Sequence, residues 1–173
     1  AEPSLYEAVD WDRTATKEMP ERFPQEMNLG FEARVCPVIR KSSAGEGRNQ
    51  KGEKRTWEAG DELDAFLAEA WTSDEDAEIE REKVYRGWFE RQLDNRGGAR
   101  AVAETVGLKR FTIADMTRRT HGDDRKVRTI KRPDATLVGE LQVTDSEQFR
   151  ELLKSGIGRH KSFGYGMLKV RPA

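Results

Sequence analysis

An α+β protein built on an antiparallel sheet is what this sequence predicts, and three observations carry the expectation. Apolar and polar residues alternate, the period of a half-buried strand, over Leu29 to Arg40, Val102 to Arg119 and Thr136 to Thr144, with a short last stretch from Met167 to Val170. Apolar residues at helical spacing fill the interval after the first of these and return before the last. The resulting order of strand, helices, strand, strand, helix, strand is that of the βαββαβ ferredoxin-like unit.

Residues 1 to 27 hold Pro3, Pro20 and Pro24 and no sustained period, which predicts loop with at most a turn of helix around Leu5 to Val9. In the first strand, Phe31, Ala33, Val35, Pro37 and Ile39 are expected on one face, and Glu32, Arg34, Cys36, Val38 and Arg40 on the other, with an edge or bulge at Pro37. Ser42 to Gly52 has the Gly, Ser, Asn and Lys composition of a mobile loop. Asp61 to Trp71 places Leu63, Phe66, Leu67, Ala70 and Trp71 on one helical face. A second helix is expected after Ser73 as cap, carrying Ile79, Val84, Tyr85, Trp88, Phe89 and Leu93 to a stop at Asn95-Arg96-Gly97-Gly98. Val102 to Arg119, with Phe111 and Ile113 alternating, turns at Thr120 to Asp124 into a hairpin that returns through Val127 and Ile130. Leu137, Gly139, Leu141 and Val143 then point inward from the clearest strand, and Asp145 with Gln148 stands at capping-box spacing before a helix burying Phe149, Leu152 and Leu153.

Charge is abundant and almost cancelled: 31 basic and 32 acidic residues leave a formal charge of −1. What a polyanion meets is the local field, and that is uneven. Lys109 to Arg132 holds nine basic residues against three acidic, and Arg34 to Arg55 seven against two, whereas Glu58 to Glu82 has eleven acids and one base. The acidic run should be solvated or meet a protein partner. The cationic hairpin, with Arg118, Arg119, Arg125, Lys126, Arg128, Lys131 and Arg132, suits paired phosphate contacts and guanine edges. One cysteine and two histidines exclude an internal disulfide and a Cys/His zinc cluster, so no metal or cofactor is expected. With no apolar run of membrane-spanning length and no signal sequence at the start, a cytoplasmic protein with no membrane contact is expected.

The densest chemistry lies in Gly156-Ile157-Gly158-Arg159-His160-Lys161-Ser162-Phe163-Gly164-Tyr165-Gly166. Two Gly-x-Gly pairs flank three possible cations, so main-chain N–H groups and side chains could converge on one phosphate. The spacing fits neither the dinucleotide fingerprint nor the phosphate loop ending in Gly-Lys-Ser/Thr. Gly156, Gly158, Arg159, His160, Lys161, Ser162 and Tyr165 are therefore candidate contacts, while Gly156 alone reads as a helix C-terminal glycine.

This loop, with the Met167-Leu168 that follows it, resembles the glycine-rich loop of the CRISPR RNA-processing endoribonucleases, in particular the CasE branch that serves type I-E Cascade complexes. The resemblance extends through Gly139-Glu140-Leu141 back to Phe31-Glu32-Ala33-Arg34-Val35-Cys36-Pro37. It implies a RAMP-type protein of two ferredoxin-like domains, with a basic hairpin against the stem of the CRISPR repeat. Residues 1–28 would then be the remnant of the N-terminal domain and a linker, and 29–173 the C-terminal RNA-binding domain. The family's reaction needs no metal: a 2′-hydroxyl attacks the adjacent phosphorus and the 5′-oxygen leaves. Its catalytic histidine and companion tyrosine lie in the first domain, and no matching segment is found here. His160 is the histidine left in the loop, as acid, phosphate ligand or the maker of an ordinary hydrogen bond. The implied partners are the CRISPR RNA repeat hairpin and the other subunits of a Cascade-type complex. The alternatives are a non-catalytic hairpin-binding subunit and an unrelated enzyme with a phosphate ligand.

Overall fold

The computed structural model describes residues 22–49, 51–74, 77–119 and 127–173, with isolated positions 12, 18 and 20. Its main sheet consists of β1 (Asn28–Val35), β6 (Ala99–Ala101), β7 (Gly107–Arg119), β8 (Val127–Val143) and β9 (Leu168–Pro172). β8 is the organising strand: one edge pairs antiparallel with β1, and the other pairs first with β7 and then with β6. β9 joins the free edge of β1, also antiparallel. With β6 and β7 counted as one interrupted strand, the order β9-β1-β8-β6/β7 is that of a ferredoxin-like sheet.

Helices α2 (Arg81–Arg96) and α3 (Ser146–Ser155) cover one face of it. Val84, Tyr85, Trp88, Phe89 and Leu93 of α2 and Phe149 and Leu152 of α3 pack on Leu29, Phe31, Ala33 and Val35 of β1 and Ala135, Leu137, Leu141 and Val143 of β8. Phe31 and Phe89 stack with ring centroids 4.9 Å apart. Each such aromatic stabilises the fold by roughly 1.5–3 kcal/mol through burial alone. The caps follow the sequence: Asp145 accepts from the Gln148 N–H at 2.7 Å, and α2 stops at Gly97, whose φ of 73° a side chain would resist. Phe23, just before the sheet, also enters this core, edge-on to Phe149 at 4.9 Å.

Between β1 and α2 the structure departs from the expected pattern. The strand expected to reach Arg40 ends at Val35, because Pro37 has no N–H for the ladder. Cys36 and Val38, expected on the face opposite Phe31 and Val35, are 1% and 4% exposed, buried with Met116 and Tyr165 in a second small cluster. The chain resumes as β2 (Val38–Arg40), which pairs with β5 (Glu62–Asp64). Residues 62–64 are thus strand instead of helix, and α1 runs only from Ala65 to Ala70, capped by Asp64, which accepts from the Phe66 N–H at 2.9 Å. Its buried residues are Ala65 and Ala68, whereas Leu67 is 36% exposed. Ser42 to Gly52, read as a mobile loop, contributes a second ribbon, β3 (Gly45–Arg48) with β4 (Lys54–Trp57), whose Gly45 lies flat against the Trp57 ring. Ser73 does not cap α2. Its hydroxyl donates back to the Glu69 carbonyl at 2.8 Å, and the helix starts only at Arg81.

Candidate functional site

The sheet face turned away from α2 and α3 is polar. Arg34 and Glu32 of β1, Lys109 and Arg110 of β7, Thr136 of β8 and Lys169 of β9 line a groove of about 380 Å³, closed at one side by Gly164 and Met167. A bulge between Leu108 and Arg110 makes this lining possible. It interrupts the alternation of β7, so two consecutive long cations, Lys109 and Arg110, face the same groove.

These cations are oriented by carboxylates. Arg34 makes a two-point pair with Asp134, Nε to Oδ1 at 2.9 Å and Nη2 to Oδ2 at 2.7 Å, and its guanidinium lies 4.7 Å from the Tyr165 ring centroid. The hydrogen bond that Arg34 donates to Asp134 outweighs desolvation and raises the Arg34 pKa further. Arg110 reaches the same Asp134 at 3.6 Å. Across the groove Lys109 donates to Glu32 at 2.5 Å, with Lys169 at 3.6 Å, and the Lys109 contact holds the Glu32 carboxyl below its ordinary pKa. Four cations against two carboxylates, Glu32 and the buried Asp134, leave a positive excess, and guanidinium and ammonium groups with free N–H edges suit phosphate oxygens.

The glycine loop borders this groove, but its glycines act first in closing the loop. The Ile157 N–H donates to Gly166 O at 2.8 Å, and the Gly166 N–H donates to Arg34 O at 2.7 Å, which ties the neck to the end of β1. A Cβ on Gly156 would stand 2.6 Å from Gly166 O, and one on Gly166 2.2 Å from Ile157 O. The neck is therefore a backbone-to-backbone contact with no room for side chains. Within the loop a 3-10 turn, Lys161–Phe163, follows His160, a non-glycine residue at φ 60°.

The loop's candidate contacts divide. Lys161 and Ser162 are exposed. Arg159 Nε donates to Glu62 Oε1 at 2.5 Å, and His160 Nε2 lies 2.8 Å from Glu62 Oε2, which Arg132 also approaches at 3.3 Å. Tyr165 is buried, 4% exposed, in the cluster with Cys36, Val38 and Met116, where burial raises its pKa. Gly156 is buried and Gly158 packs on Trp88.

Of the hairpin cations, Lys131 is exposed opposite Asp115, and Arg132 sits half-buried opposite Ala114. The backbones of Arg118, Arg119 and Arg128 form the last rungs of the β7–β8 ribbon, Arg118 opposite Arg128 and Arg119 opposite Val127. Arg125 and Lys126, with His121, lie outside the described residues. Ribbon and glycine loop come together at the ribbon's base, with Met116 and Tyr165 in one cluster and Glu62 of β5 reached by Arg132 on one side and by Arg159 and His160 on the other. Sequence reasoning missed Arg34, Lys109, Arg110 and Lys169 as one group, since residues from three separate strands share no local motif. Among the described residues no group of three or more His, Cys, Asp or Glu side chains is placed to hold a metal ion, and no helix is long and apolar enough to cross a membrane.

A ferredoxin-like sheet with helices on one face and a cation-lined groove on the other makes this an α+β protein whose candidate site is of a charge suited to anions. A profile of the family described as "CRISPR associated protein" matches residues 2–172, and the chain belongs to that family. The fold is similar to that of the CRISPR endoribonuclease Cse3 bound to a 19 nt RNA, with TM-score 0.58 and 20% identity over 90% of this chain and 61% of that one. It is also similar to Thermus thermophilus Cse3 bound to an RNA representing a pre-cleavage complex, with TM-score 0.54 and 19% identity over 87% of this chain and 56% of that one. The chain thus spans about 61% and 56% of the lengths of these two proteins. No curated protein sequence matches it.

Proposed function

We propose that the chain acts in CRISPR RNA maturation, binding the stem-loop of the repeat and taking part in cleavage of the precursor. The observation that carries this is the groove of Arg34, Lys109, Arg110 and Lys169, set between the glycine loop and the base of a long cationic ribbon. Membership of the CRISPR associated family and the fold shared with Cse3, solved with RNA, support the same reading. The groove takes the phosphate backbone and the ribbon, with Arg118, Arg119, Arg125, Lys126, Arg128 and Lys131, lies along the stem. Lys161 and Ser162, both exposed, are the loop side chains open to RNA in this reading. Such backbone recognition depends on local field more than on net charge.

In this reading cleavage proceeds without metal. The 2′-oxygen forms a bond to the adjacent phosphorus, its proton passes to a base, the bond from phosphorus to the 5′-oxygen breaks, and that oxygen takes a proton from an acid. The upstream product carries a 2′,3′-cyclic phosphate. The protein then stays on the 3′ hairpin as a subunit of a Cascade-type complex in the cytoplasm. A second reading, hairpin binding without cleavage, is favoured by one observation: His160 is 19% exposed and engaged with Glu62 at 2.8 Å, which suits a structural bond more than proton transfer to RNA.

Incubating the protein with a labelled repeat stem-loop in EDTA tests both. Cleavage to a cyclic-phosphate end supports the first, retention on a gel without cleavage supports the second, and failure to bind at low salt rejects both.

A further inference from the structure

Nothing in the sequence separates Glu62 from the other acids between Glu58 and Glu82, yet the structure gives it a singular place. Its side chain is only 12% exposed, and it joins three parts of the fold that are distant in sequence. From β5 it accepts the Arg159 Nε–H at 2.5 Å on one oxygen, while the other oxygen faces His160 Nε2 at 2.8 Å and Arg132 Nη2, from β8, at 3.3 Å. The glycine loop is closed at its neck by the Ile157 and Gly166 backbone, but among the described residues the only side-chain contacts of its crown, residues 158–163, with a carboxylate are these two with Glu62. His160 also holds a left-handed φ of 60°, a conformation that persists in a non-glycine residue when its surroundings hold it there.

We propose that Glu62 is the positioning residue of the glycine loop: reaching from β5, and held by Arg132 of β8, it sets where the loop's Arg159, His160 and Lys161 stand relative to a bound RNA phosphate. The proposal rests on the RNA-binding reading above. It assigns a role to the ribbon β2–β5, which a bare ferredoxin-like unit does not contain: that ribbon braces the loop. Arg159 is 48% exposed and uses Nε on Glu62, so its terminal nitrogens stay turned to solvent on a fixed stem.

Two physical accounts of Glu62 predict opposite signs. If it merely neutralised nearby cations, removing its charge would tighten binding to a polyanion. If it positions them, the same change loosens the loop and weakens binding although the protein becomes more positive.

The test uses Glu62→Gln, close to isosteric, with affinity for a labelled repeat stem-loop measured over a salt series and amide hydrogen exchange measured on the free protein. The expected results are an affinity loss of about fivefold or more and faster exchange at Ile157, Gly164 and Gly166. Glu62→Gln combined with Arg159→Ala should lose less than the sum of the two single losses. Unchanged or tighter binding by Glu62→Gln overturns the proposal, as does unchanged exchange at the three amides. If the wild-type protein fails to bind the stem-loop, the functional reading falls, while the exchange comparison still decides whether Glu62 braces the loop. If Glu62→Gln does not fold, Arg159→Ala, at a half-exposed position, must show the same faster exchange, and its absence overturns the brace.

Discussion

Arg34 of β1 and Asp134 of β8, which lies just past the last rung of the β1–β8 ladder, share a two-point ion pair of 2.9 and 2.7 Å. Asp134 is 3% exposed while the guanidinium above it stays half in solvent, so the carboxylate anchors a cation whose outer edge is free. Asp134→Ala should therefore lower stability by about 1.5 kcal/mol, the lower end for a hydrogen bond to a charged group, because solvent screens the exposed partner. It should also release Arg34 and weaken RNA binding. Urea midpoints of wild type and variant check the first part, and an unchanged midpoint would show that the pair contributes nothing to the fold.

Replacing the other groove cations should read out as counterion release. Arg110→Gln and Lys169→Gln are each expected to reduce the slope of log affinity against log salt by about one for a duplex stem. The loss should be similar for unrelated stem sequences, since these side chains meet backbone and not base edges. A slope that stays put in both variants removes the groove from the interface.

The glycine loop separates two kinds of glycine. Gly164, at φ 81°, has nothing within 4 Å of an added Cβ, so Gly164→Ala should cost about 1 kcal/mol from its left-handed backbone alone. Gly166, at φ 86°, would set that Cβ 2.2 Å from Ile157 O, so Gly166→Ala must break the neck and cost clearly more. Equal thermal shifts for the two would contradict the contact described.

Cys36 gives a probe of the cluster beneath the loop. Burial pushes its thiol pKa up to about 12, and the side chain is 1% exposed. A disulfide reagent at pH 8 should leave it unmodified in the native protein and modify it fully in denaturant. Rapid modification under native conditions would mean that the cluster opens.

Glu62 gives a pH signature. Burial alone would raise its carboxyl, but His160 and Arg159 outweigh that, and the net direction is below the ordinary value of 4.5. A depressed folded-state pKa contributes stability that is present above the unfolded value and is lost as pH falls through the folded value. The stability gap between wild type and Glu62→Gln should thus be full at neutral pH and shrink below about pH 4.5. A gap constant from pH 7 to pH 3 would count against the charged contact.

The sheet order was legible because its signals are local: alternation in β1 and β8, the Asp145 cap, the Gly97 stop. The ribbons between β1 and α2 were not, since Glu62 to Asp64 become strand only by pairing with Val38 to Arg40, a tertiary fact that overrides helical spacing. The glycine loop was found from its composition, but which of its glycines meet backbone to backbone, Gly156 and Gly166, is a tertiary contact that composition does not assign. The groove stayed hidden because a bulge breaks the two-residue period at the point where Lys109 and Arg110 align.

β9 is a five-residue outer rung bonded to β1 alone, yet it supplies Lys169 and follows directly on the segment that fastens the loop to Arg34. Peeling that rung away would dismantle one wall of the groove and unfasten the loop in a single motion. Grip on a ligand in that groove is thereby made hostage to an edge strand held by five residue pairs.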